Sequence, residues 1–95
     1  MKKIYHLRRT EDGVNFQMIS RYSDPLSAIC AMRREVKRQA FRFVNELEDF
    51  NLYQTSDERW PDAWGYANNG YTFEHNGRIL RYEVVNIKEL DKSDK

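Results

Sequence analysis

The sequence offers Cys30 no second cysteine, so no disulfide staples the chain, and its fold must rest on packing alone. One unpaired thiol fits a reducing compartment. Long apolar runs are also missing. After Met1-Lys2-Lys3 the stretch Ile4-Tyr5-His6-Leu7 meets Arg8-Arg9 at once, which excludes both the core of a secretion signal and a membrane span. The expectation is a soluble cytoplasmic protein with no membrane partner. No excess of one charge is present either. A net charge of +1 argues against a surface devoted wholly to nucleic acid. Glycine is scarce, 4 residues all at expected turns or loops, so no phosphate-cradling loop exists. Only two histidines occur, His6 and His75. They fall in different hairpins and are expected on opposite sheet faces, so neither a metal site nor a histidine-based catalytic dyad is expected. These gaps together lead to the expectation of a non-enzymatic chain without metal or cofactor.

What the chain has is charge, aromatic bulk and clear periodicity. A third of it is charged (33%), and 14% is aromatic. Many aromatics with few aliphatic residues point to a thin core, one sheet covered by one helix. Its 95 residues suit one domain, expected over 1–90 with a frayed charged tail at 91–95.

Residues 3–9 alternate as a strand, Thr10-Glu11-Asp12-Gly13 supplies a turn, and 14–22 return. A two- or four-residue loop would set Tyr5 and Leu7 on one face with Phe16 and Met18, leaving Ile4, His6, Gln17 and Ile19 opposite. Ser23-Asp24-Pro25 then opens a helix, with Asp24 as N-cap and Pro25 at the first helical position. Apolar residues recur at 26, 29, 32, 36, 40, 43, 47 and 50, which predicts one unbroken helix to about Asn51. Cys30 and Val44 lie at the edge of that stripe. Residues 52–70 hold Tyr53, Trp60, Trp64 and Tyr66 without a clean period. They read as a long aromatic linker, with a short helix from Pro61 as one option. The Asn76-Gly77 pair between two alternating runs signals a hairpin in which Phe73 faces Leu80 and Tyr71 faces Tyr82. Val84-Val85 breaks the alternation, and a bulge or a switch of face is expected there. The predicted fold is α+β, ββαββ, a four-stranded antiparallel sheet with one long helix across one face.

Three constellations stand out. Arg34, Arg38 and Arg42 form an outward stripe on the helix, flanked by Arg33 and Lys37. They are the leading partner-binding residues, together with Trp60 and Trp64. The competing reading is a solvated face tied by local pairs, Glu35 with Arg38 and Arg42 with Glu46. The acidic residues Glu46, Glu48 and Asp49 occupy the last turns, against the helix dipole, and cations occupy its first half, an order that stability alone would reverse. Ile4, Ile19 and Ile79 are candidates for a homodimer face, or else one register is off by one and some of them are core. The leading functional expectation is a small binding or regulatory module that meets another macromolecule through the basic helix face. An acidic protein surface ranks first as partner, and nucleic acid second. An inhibitor or adaptor of a nucleic-acid-processing protein would satisfy both.

Overall fold

The computed structural model describes residues 4–55 and 69–86. Five strands and one helix follow in the order β1 (Tyr5–Thr10), β2 (Phe16–Tyr22), α1 (Pro25–Asn45), β3 (Asn51–Thr55), β4 (Gly70–His75) and β5 (Arg78–Asn86). The strands form one antiparallel sheet in the order β2-β1-β5-β4-β3. The class is α+β as expected, with five strands in place of four.

The second hairpin has the expected register. Asn76 and Gly77 take φ of +50° and +79°, the two positive values a type I′ turn needs. Phe73 then pairs with Leu80 and Tyr71 with Tyr82. No bulge follows at Val84-Val85, because β5 pairs with β1 without a break as far as Asn86. Val84 faces the helix and Val85 the other side, and both are buried. A centrally placed strand buries both faces, which removes the alternation without any irregularity.

The first hairpin differs from expectation. Thr10 pairs with Phe16, so its loop runs over five residues, 11–15. Asp12 organises that loop: its carboxylate accepts from the Val14 and Asn15 amides at 2.8 and 2.7 Å and from Asn15 Nδ2 at 2.8 Å. Thr10 Oγ1 donates to Asp12 at 2.9 Å and accepts from the Gly13 amide at 2.9 Å. These bonds hold the Asp12 carboxyl well below the usual carboxylate range, the Asn15 amide contributing most. Phe16 and Met18 therefore pair with Thr10 and Arg8 and face away from the helix, not with Tyr5 and Leu7. The register shifts at Leu7-Arg8, so a bulge does occur, but in this hairpin.

Asp24 caps α1 as expected, its side chain accepting from the Ser27 amide at 2.8 Å with Pro25 at the first position. The helix stops at Asn45, six residues before the predicted end. Leu47 turns left-handed at φ +56°. The Leu47 amide bonds to the Val44 carbonyl at 3.1 Å and the Glu48 amide to the Phe43 carbonyl at 3.0 Å, the Schellman closure of a helix end. Two members of the expected stripe leave the core: Leu26 and Leu47 are exposed. Phe50 reaches the core by another route. The chain reverses after Leu47, and Phe50 stacks on Phe43 with ring centroids 5.1 Å apart. Asn51, the expected helix end, and residues 52–55, read from sequence as linker, form edge strand β3.

The core lies between α1 and one sheet face. Ile29, Met32, Val36 and Phe43 meet Tyr5, Leu7, Phe73, Tyr82 and Val84. An aromatic cluster closes the helix C-terminal end, with Phe73 5.5 Å from Phe43 and 5.8 Å from Phe50. Burial raises the Tyr82 hydroxyl above its ordinary value. Trp60, Trp64 and the suggested short helix from Pro61 lie outside the described residues, as does the 91–95 tail.

Candidate functional site

A helix packed on a sheet by one stripe must present its opposite side outward, and on α1 that side carries the cations. Arg33, Arg34, Lys37, Arg38 and Arg42 are all exposed. They do not behave alike. Arg38 Nη1 meets Glu35 at 3.1 Å, and Arg42 Nε meets Glu46 at 3.2 Å, so both pairs of the solvated-face reading are present. Such exposed pairs contribute roughly 0.3–0.5 kcal/mol each. Arg33, Arg34 and Lys37 make no ion pair among the described residues. The five arginines and lysines thus divide into two that the helix satisfies and three that it leaves to solvent.

The same face holds residues that sequence reasoning passed over. Phe41 is 68% exposed and Val44 59%. Phe41 lies one turn beyond Lys37, close enough for their Cβ atoms to be about 5–6 Å apart. Cys30 is also exposed, on this side and not at the core edge. One signal was available: an aromatic two positions from Phe43 must point roughly 200° away from it on a helix, out of the core stripe.

Other expected groups are dispersed. Ile4 flanks the Tyr5–Asn86 end of the central pair, while Ile79 lies past the Thr10–Arg81 end. That separates them by about 26 Å along the strands. Ile19 sits on edge strand β2 at the register shift. The three isoleucines therefore make no single patch. Between them the outer sheet face holds a buried carboxylate among apolar neighbours: Glu83 is buried and clamped by Arg8 Nε at 2.7 Å and Arg81 Nη2 at 3.1 Å. The Arg8 guanidinium lies 3.9 Å above the Phe16 ring.

His6 and His75 do fall on opposite faces, as expected, since His6 pairs with Val85 and His75 follows the helix-facing Phe73. His75 fastens the helix C-terminal turn, its Nδ1 donating to the Asp49 carbonyl at 2.5 Å, with Nε2 3.2 Å from Glu48. A cleft of about 290 Å³ opens beside it, floored by Phe43 and Phe73 and rimmed by Arg42, Glu46 and Arg78. No hydroxyl or thiol lines it among the described residues. Along its rim Arg42 pairs with Glu46, and His75 contacts Glu48. No group of histidine, cysteine and carboxylate side chains with metal-holding geometry occurs among the described residues. Among those residues, too, no helix is long and apolar enough to cross a membrane. Comparison with known proteins gives no matching family model, no matching curated relative and no matching solved structure.

Proposed function

We propose that this chain is a small non-catalytic binding module that engages an acidic protein surface through the outer face of α1. The observation that carries the reading is the adjacency of Arg33, Arg34 and Lys37, three cations without an ion pair among the described residues, to the exposed Phe41 and Val44 on one helix. Cations alone would suit phosphate as well as carboxylate. The apolar side chains favour protein, because a buried aromatic commonly anchors a protein–protein contact. Charge then steers the encounter and orients it, and the aromatic holds it. An inhibitor or adaptor that occludes a nucleic-acid-processing protein is compatible with this surface, and steric occlusion requires no catalytic group.

The test compares proteins retained by the wild type with those retained by the triple reversal Arg33→Glu, Arg34→Glu, Lys37→Glu, with Arg21→Glu on β2 as control. The expected result is loss of retained partners in the triple variant alone. The same proteins in all three samples would make the face solvent decoration. A salt titration against duplex and single strands separates the nucleic-acid alternative. Tight binding at low salt that falls steeply as salt rises, with a shallower slope in the triple variant, would replace the acidic protein with nucleic acid.

A further inference from the structure

We infer that His75 is a proton-operated exchange at the C-terminal end of α1: the neutral ring ties to Asn76 in the β4–β5 turn, and the protonated ring ties to Glu48 at the helix closure. Three partners surround the ring. Nδ1 is 2.5 Å from the Asp49 carbonyl oxygen, while Nε2 lies 3.3 Å from Asn76 Nδ2 and 3.2 Å from Glu48 Oε2. A carbonyl oxygen only accepts, so Nδ1 carries a proton in either state. In the neutral ring Nε2 is then a bare acceptor. It takes a proton from the Asn76 amide and has none to give Glu48. The imidazolium reverses this. Nε2 becomes a donor, the Asn76 amide meets no lone pair, and the Glu48 carboxylate accepts. One nitrogen thus faces a donor and an acceptor at nearly equal distance, and the proton chooses between them.

The surroundings hold the ring where both partners reach it. The Phe43 ring packs against the imidazole with centroids 5.1 Å apart. Other charged groups stand around it, but Glu48 is the one in contact with it. On α1, Arg42 and Glu46 answer each other at 3.2 Å. On the β1–β2 loop, Glu11 is 3.4 Å from Arg9. Asp49 and Glu74 line a different hollow. Arg78 sits opposite His75 on β5 and is exposed. The exchange has a structural consequence. The Glu48 amide closes the helix on the Phe43 carbonyl. Acid therefore fastens that closure to β4, and neutral pH passes the tie to the hairpin turn.

Histidine is the side chain whose charge ordinarily changes between about pH 5 and 8, and the experiment compares the full chain at the two ends of that span. Ring-nitrogen NMR spectra at the upper end are expected to show Nδ1 protonated and Nε2 bare, and at the lower end both protonated. Urea unfolding then reads the partners. Glu48→Ala is expected to lower the folding equilibrium constant about threefold more in acid than at the upper pH. Asn76→Gly, which keeps the left-handed turn, is expected to show the opposite preference. In a His75→Phe background neither effect is expected to depend on pH, as a double-mutant cycle requires. A bare Nδ1 beside a protonated Nε2 at the upper pH would overturn the inference. Variant effects that ignore pH would overturn it too.

Discussion

At Leu47 a branched side chain, 92% exposed, sits on a backbone with φ of +56°. The left-handed region costs a non-glycine residue about 1–2 kcal/mol, and the side chain gains little in return because it touches water. Leu47→Gly is expected to raise stability by about 1 kcal/mol, read as a higher urea midpoint at constant slope. Gly70 presents the opposite case. A Cβ there would lie 2.5 Å from Thr55 Oγ1 and 3.1 Å from the Tyr82 carbonyl oxygen. Gly70→Ala is expected to cost about 1–3 kcal/mol. Thr55 Oγ1 is buried without a hydrogen-bond partner among the described residues, so Thr55→Ala alone should be close to neutral. In the double variant the cost of Gly70→Ala should shrink, a coupling that a double-mutant cycle measures. Neither position announces itself in sequence. Leu47 continues the helical spacing of apolar residues, and only the carbonyl closure at Phe43 and Val44 shows that the helix has already ended.

Two elements owe their start to a carboxylate. Asp24 holds the first turn of α1 and Asp12 holds the β1–β2 loop, and hydrogen bonds from backbone amides depress both side chains below the ordinary aspartate value of 3.8. The unfolded chain therefore binds more protons than the folded one as pH falls through that value, and stability contributed above it is lost below it. Asp24→Asn and Asp12→Asn are each expected to flatten the fall in thermal midpoint between pH 4 and more acidic buffer, measured against wild type by circular dichroism over pH steps of roughly half a unit. At the alkaline end the sign reverses. Burial raises the Tyr82 hydroxyl above 10.0, so stability present below that value declines as pH climbs past it. Of these elements, the helix start and the Asn76-Gly77 hairpin were legible because local chemistry decides them. The first hairpin was not, because the Asp12 side chain builds a five-residue loop in place of the shorter turn that Asp-Gly advertises. Strand β3 was hidden behind Leu47 and Phe50, which keep helical spacing although only Phe50 packs, and packs after the chain has reversed. The basic face was legible as a charge pattern. Its aromatic, Phe41, was not, since an off-stripe phenylalanine attracts notice only after the stripe is fixed.

Across the whole molecule, the pair that joins the two hairpins is β1 with β5, the first and last in sequence of the described strands. Val84 stands on that pair, buried against the helix. Val84→Ala is expected to cost about 2 kcal/mol from lost burial and the cavity left behind. Both hairpins lean on this pair, so they should fail together: near-UV and far-UV circular dichroism are expected to report one coincident transition in the variant as in the wild type. Two separated transitions would mean that the hairpins hold their own cores.

The same pairing sets an order of events during synthesis. β1 emerges from the ribosome early, yet its central neighbour arrives only after residue 86 has left the exit tunnel. For that interval one edge of the β1–β2 hairpin stands open, and any extended chain nearby can occupy it. A nascent-chain series stalled so that residue 86 lies on either side of the tunnel exit should therefore pass abruptly from protease-sensitive to resistant, and holdase chaperones should favour the shorter members.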